Sequence, residues 1–216
     1  MWRYPRTWLP IVAVLFWLMP GGPGLCAQPQ SSVGRVTGLV GSATVLSTDR
    51  FQPRALALQN PLYQQDVIQT EATSRLRLTF RDETVITLGE ESRLEITSYL
   101  YSPRQKTRTS LLTFPVGVFR AIVKQVLPHS TFEVATATAV AAIRGTDWMG
   151  EVRPDATAIV VLQGEVAVSN PRSAMAGTVT LTPGMGTTVR VDQAPTTPTQ
   201  WGGARVDALR QATSLP

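Results

Sequence analysis

Residues 75–81, Arg-Leu-Arg-Leu-Thr-Phe-Arg, alternate strictly between apolar and polar side chains. In an extended strand successive side chains point to opposite faces, so Leu76, Leu78 and Phe80 share one face. The other face carries three arginines and Thr79, and a helix would scatter both sets around its circumference. Asp82-Glu83 follows as a turn, and Thr84-Val85-Ile86-Thr87-Leu88 returns as a second strand. Further β-rich runs lie at 33–46, 94–101, 111–126, 131–143, 157–163, 165–169, 178–182 and 187–191. Turn residues separate them: Gly41, Asn60-Pro61, Gly89, Ser102-Pro103, Pro128, Gly145, Pro154-Asp155, Gly164, Asn170-Pro171 and Pro183-Gly184. The 16 Gly and 16 Pro of this 216-residue chain supply such breaks without the period of a collagen. No amphipathic helix joins the strands, which excludes a βαβ architecture. The expectation is an all-β single domain of short strands over 28–192, either a solenoid-like β-roll or a sandwich. Residues 193–216 read as a Pro/Thr-rich linker and flexible C-terminal tail, in which only 204–212 has helical character.

The N-terminus obeys a different rule. Arg3 and Arg6 precede an unbroken apolar run from Leu9 to Met19, followed by Pro20-Gly21-Gly22-Pro23-Gly24. Eleven residues of helix span about 16 Å, roughly half the hydrocarbon core of a bilayer. This is the layout of a secretory signal peptide over residues 1–27, with cleavage near Ala27. An uncleaved anchor and a lipidated Cys26 are the alternatives; Pro23-Gly24-Leu25 lacks the small residue usual beside a lipidated cysteine. Cleavage leaves no spanning helix and removes Cys26, the only cysteine. It also removes Arg3 and Arg6, leaving 18 basic and 15 acidic residues, a net of +3. That mild charge on an exported chain gives no footing for nucleic acid. The expected compartment is the periplasm or the extracellular space.

Catalytic chemistry is sparsely supplied. One His, His129, sits between Pro128 and Ser130 and reads as a surface turn residue. One Cys and one His exclude a zinc finger or multi-histidine metal site, and neither metal nor cofactor is expected. No nucleophile elbow, phosphate loop or calcium loop is present. Gly184-Met185-Gly186 lacks the third glycine and following helix of a nucleotide fingerprint. Adjacent acids, Asp82-Glu83 and Glu90-Glu91, point to opposite faces in a strand. Two carboxylates from separate strands could still form a glycosidase pair. The chain is therefore read as not an enzyme, with glycan cleavage the least favoured alternative.

The run Thr136-Ala-Thr-Ala-Val-Ala-Ala-Ile-Arg-Gly-Thr-Asp-Trp148, with Ile159-Val-Val-Leu-Gln-Gly-Glu-Val-Ala-Val168, resembles the core signature of FecR-type periplasmic domains. In that pattern a strand ends in an Arg-Gly-Thr turn, and a second leads into a Gly-x-Val-x-Val hairpin. Leu58 to Thr70, Leu76-x-Leu-x-Phe-x-Asp-x-Thr84 and Val179-Thr-Leu-Thr-Pro-Gly184 are similar to the rest of the pattern, so the resemblance spans residues 34–191. It implies the fold and the compartment. Where the family tends to place turn glycines, this chain has Asn60, Gln65 and Glu83; Gln and Glu tolerate positive φ poorly, so altered turns are expected there. Sigma-regulating members carry a cytoplasmic segment and a spanning helix, whereas only eight residues precede the apolar run here. Direct transcriptional signalling is therefore not carried over by the resemblance.

Two constellations are candidate contacts. Arg144, Thr146, Asp147 and Trp148 surround Gly145, whose freedom permits a left-handed backbone while Thr146 and Asp147 bond neighbouring amides. Arg and Trp are frequent interface anchors, yet the same residues equally make a structural turn, and that reading carries more weight. The second is a stretch free of acids between Glu95 and Glu133, containing Arg104, Lys106, Arg108, Arg120 and Lys124 and preceded by Tyr99 and Tyr101. Read as outward-facing, it suits an anionic polysaccharide; read as structure, it pairs with Asp82, Glu83, Glu90, Glu91 and Glu95. The resulting expectation is an exported, non-catalytic FecR-like binding module of the periplasm or cell envelope, in envelope sensing or signalling. Its partner would be an unidentified envelope protein; the alternative is a structural envelope protein that binds anionic polysaccharide.

Overall fold

A computed structural model describes residues 31–124, 127–128, 130–172 and 177–215. The expected leader at 1–27 and His129 lie outside the described residues. Fifteen strands and one helix follow in chain order. They are β1 (Gly34–Val40), β2 (Ala43–Leu46), β3 (Arg54–Ala55), β4 (Pro61–Leu62) and β5 (Val67–Thr70). Next come β6 (Arg75–Phe80), β7 (Val85–Leu88), β8 (Arg93–Ser102), β9 (Thr107–Ile122) and β10 (Thr131–Ala135). The last are β11 (Val140–Val152), β12 (Ala156–Ser169), β13 (Val179–Leu181), β14 (Met185–Arg190), β15 (Thr199–Gln200) and α1 (Gly203–Ala212).

All strands belong to one continuous sheet that folds over on itself. Its first layer runs β15-β14-β12-β11-β9-β7-β6-β1-β4 and its second β3-β2-β5-β8-β9-β10-β11-β12-β13. Three long strands serve both. The second half of β9 (117–122) pairs with β7 and β11 in the first layer, while its first half lies between β8 and β10 in the second. The β11–β12 hairpin bends in the same way, with its register broken between Arg144 and Trp148. The architecture is an all-β roll with the two faces of a sandwich.

The corners follow a rule. Of the ten passages between layers, nine contain a residue of positive φ: Gly41, Gln59, Gln65, Thr73, Glu91, Gly117, Gly145, Gly164 and Gly184. The tenth, at 123–130, is only partly described. Gly145 and Gly164 face each other where the β11–β12 hairpin bends, and a Cβ on Gly164 would lie 2.4 Å from the Gly145 carbonyl oxygen. Only glycine suits that approach. The turns at Gln65 and Glu83 are left-handed after all, with φ of 68° and 65°. A buried aspartate clamps each. Asp66 accepts from the Tyr63 N–H at 2.8 Å and the Ser47 hydroxyl at 2.6 Å. Asp82 accepts from the Thr84 N–H at 3.2 Å and hydroxyl at 2.8 Å. Satisfied buried carboxylates hold backbone that Gln and Glu would otherwise avoid.

The inward residues of both layers form one core, with Leu76, Leu78, Ile86, Leu88, Phe119 and Trp148 from the first meeting Ile68, Leu94, Leu112, Phe114 and Phe132 from the second. The 75–81 alternation is realised as read: Leu76, Leu78 and Phe80 are buried, and Arg75, Arg77, Thr79 and Arg81 face out. Each such buried side chain contributes about 1.5–3 kcal/mol of transfer free energy. Two expectations fail. The Arg-Gly-Thr segment is no strand-ending turn but a bulge inside the 13-residue β11. The tail is no free linker either: Trp201 and Leu209 are buried with Met149, Ala158 and Val160 on the outer face of the first layer. The tail continues across the strands, its Ala212 carbonyl accepting from Arg75 Nε at 3.1 Å and Leu215 reaching Gly38. Among the described residues no helix is long and apolar enough to cross a membrane.

Trp201 packs directly on Gly186, where a Cβ would come within 2.2 Å of its ring. Gly186→Ala is expected to lift Trp201 and loosen the tail while leaving the core intact. A red-shifted, more quenchable tryptophan emission with unchanged far-ultraviolet circular dichroism would show this; unchanged emission would refute it.

Candidate functional site

The Arg-Gly-Thr-Asp-Trp segment lies where β11 passes from one layer to the other, and the alternation of the strand divides its side chains. Trp148 points inward and is fully buried, its ring edge-on to Phe119 at 5.0 Å between centroids. Thr146 is buried as well. Neither Trp148 Nε1 nor Thr146 Oγ1 has a hydrogen-bond partner among the described residues, an uncompensated desolvation of both. Asp147 points outward and holds Arg120 of β9 in a two-pronged contact, Nε to Oδ1 at 2.9 Å and Nη2 to Oδ2 at 2.6 Å. Accepting those bonds, Asp147 raises the guanidinium of Arg120 above its ordinary pKa, against the opposing effect of burial. Arg144 alone is exposed. It stands on the outer face of the second layer, opposite Glu165 of β12. The structure thus removes Trp148 and Thr146 from the set of surface contacts: their side chains lie in the core and reach no partner at the surface.

The second constellation divides similarly. Arg104 and Lys106 are exposed in the β8–β9 turn, where Lys106 has φ of 52°. Tyr101 is half-buried against the core. Tyr99 and Arg108 are not outward residues. Arg108 is 3% exposed and its Nη1 donates to Oδ2 of Asp82, itself fully buried. Its guanidinium lies over Phe132, 5.0 Å from the ring centroid. Tyr99 is buried on Phe80, and its hydroxyl oxygen accepts from the Asp82 N–H at 3.0 Å. Burial, and then the charge of Asp82, push the Tyr99 hydroxyl well above the ordinary tyrosine pKa. Asp82, Thr84, Tyr99 and Arg108 therefore form one buried polar cluster that ties the β6–β7 turn to β8 and β9. The pairing of this basic stretch with Asp82 is the structural alternative, realised in the core and not on the surface.

Sequence reasoning missed Trp201, Val206 and Leu209, which cover the first layer. Their i, i+3 spacing at 206 and 209 after a Trp-Gly-Gly start was the available signal. Among the described residues no group of three His, Cys, Asp or Glu is placed to hold a metal ion. The open surfaces are the outer face of the second layer, and that part of the first which α1 leaves uncovered.

Fold and site together define an all-β scaffold domain whose signature charges are used mainly in holding strands together. Residues 66–167 match the family described as FecR protein. Two crystal structures of a candidate anti-sigma factor from Parabacteroides distasonis have the same fold, each with a TM-score of 0.54 and 18% identity. In both the match covers 67% of this chain and 64% of that one, so the likeness spans less than two thirds of the neighbour's length. No curated protein matches the sequence.

Two stability predictions follow from the buried residues. Trp148→Ala is expected to cost about 3–5 kcal/mol, whereas Trp148→Phe, which also removes an unpaired N–H, costs far less. Equal losses by denaturant unfolding would contradict the core assignment. Arg108→Gln leaves Asp82 buried without its cation and is expected to cost about 3–5 kcal/mol, whereas Arg104→Gln with Lys106→Gln stays within about 0.5 kcal/mol. A neutral Arg108→Gln would place that side chain in solvent.

Proposed function

We propose that this FecR-domain chain is an exported, non-catalytic binding module of the periplasm or cell envelope, acting in envelope signalling by presenting a rigid surface to a protein partner. The family match supports the signalling role, and the neighbour's assignment as a candidate anti-sigma factor agrees with it. One observation carries the choice of surface. The chain's own tail covers much of the first layer, whereas on the second layer Leu100, Ala142 and Arg144 stay exposed and flank half-buried Leu111 and Glu133. The register places Leu111 beside Glu133, Glu133 beside Ala142 and Ala142 beside Ala167, so Leu111, Ala142 and Ala167 form a flat field around one acid, Glu133, with Arg144 at its margin. A flat face of small and apolar side chains that carries one acid and is edged by an arginine suits protein association.

A photoreactive residue at Ala142, introduced in the producing cell, is expected to cross-link one recurring envelope protein. The adduct should disappear on Leu111→Arg or Arg144→Glu, with thermal unfolding of Arg144→Glu unchanged. A ladder of unrelated products, or an adduct indifferent to both changes, would overturn the reading.

A further inference from the structure

The outer face of the first layer has a part that the tail leaves open, and its chemistry differs from that of the second layer. Along β6 the outward residues are Arg75, Arg77 and Thr79, with Arg77 half-buried at the margin of the tail, whose Leu215 lies on the facing Gly38, and exposed Arg81 follows directly. Successive outward positions on an antiparallel strand stand about 7 Å apart. Arg35 of β1 lies opposite Thr79 and adds a further cation, and a Thr37–Thr79 hydroxyl contact at 2.9 Å fills the space between. On the other side Thr87 of β7 lies between Arg77 and Arg120 in register. Arg75 and Arg120 are engaged, by the Ala212 carbonyl and by Asp147. Arg35, Arg77 and Arg81 take part in none of the ion pairs among the described residues. The strip ends in a cleft of about 520 Å³ whose lining includes Arg35, Gln59, Pro61, Thr79, Arg81 and Glu83.

We propose that this arginine strip and its terminal cleft bind an extended, carboxylate-bearing polysaccharide chain. Three cations without acidic partners on one face attract a polyanion, and arginine forks match carboxylates. Between the cations the strip offers hydroxyls and an amide, donors and acceptors for sugar hydroxyls. It offers none of the alternating apolar pockets by which an extended peptide is read. Glu83 at the rim sets a limit on how much anionic charge the cleft itself accepts. The anionic contact thus shifts from the 104–108 hairpin, whose Arg108 is buried, to the opposite layer. The inference does not depend on the protein partner proposed above, since that surface is on the other layer and its variants leave this strip untouched.

The test is calorimetric titration of the full exported chain with polygalacturonate, with neutral dextran and poly-L-glutamate as comparisons. Binding to polygalacturonate is expected to weaken about tenfold or more between about 0.05 M and about 0.5 M salt. Arg35→Gln, Arg77→Gln and Arg81→Gln together should weaken it about tenfold or more with unfolding unchanged, and Arg104→Gln with Lys106→Gln should leave it intact. If the triple variant does not fold, Arg81→Gln alone, at an exposed position, serves the same purpose. Absence of binding, equal binding of dextran, or arginine variants that bind like the parent would overturn the proposal. Equal binding of poly-L-glutamate would overturn its commitment to a glycan.

Discussion

Strands that pass repeatedly between two packed layers must break the ordinary right-handed bias of the backbone at each corner, and an L-residue in the left-handed region costs roughly 1–2 kcal/mol. At most of its corners this domain meets that cost in one of two ways. At Gly41, Gly117, Gly145, Gly164 and Gly184 the side chain is dispensed with. At Gln65 the neighbouring buried aspartate, Asp66, fixes the turn through hydrogen bonds, and Asp82 does the same for the Glu83 turn within the first layer. The rest of the architecture depends on those corners, because β9, β11 and β12 can face one shared core from both sides only if each bends at its glycine.

Charge inside the domain serves the same end. The Asp82 carboxylate accepts from Thr84 and from Arg108, so a turn and a long strand converge on one buried anion. Buried pairs of this kind specify geometry more than they add stability, since desolvation offsets much of their attraction. Asp147 and Arg120 do a similar job nearer the surface, bridging β11 to β9 beside the bulge. Tyr99, Arg108 and Trp148, which in sequence look like parts of a contact surface, are here joints of the roll.

The strand pattern was readable because period two is forced by the backbone wherever one face is buried, as Leu76, Leu78 and Phe80 show. Glycine corners were readable for the same kind of reason. Three things were not. The left-handed state of Gln65 and Glu83 depends on aspartates whose burial is set by distant strands. The inward turn of Trp148 and Arg108 depends on register: one residue of slip would exchange inside for outside along β9 or β11. The docking of Trp201 depends on the bare backbone of Gly186, some fifteen residues earlier, which no local pattern announces.

The tail that crosses the first layer ends with Leu215 against Gly38 of β1, the strand with which the described fold begins. The last described residue therefore meets the first described strand, and the described fold closes like a loop of cord whose knot lies at a single place. A domain closed in this manner has its first strand pinned by its last described residues, and its layers need not part to admit a neighbour. The same closure makes β1 a seam. A pull applied through both ends would load β1 and the tail first, and the glycine-cornered core only after the seam had opened.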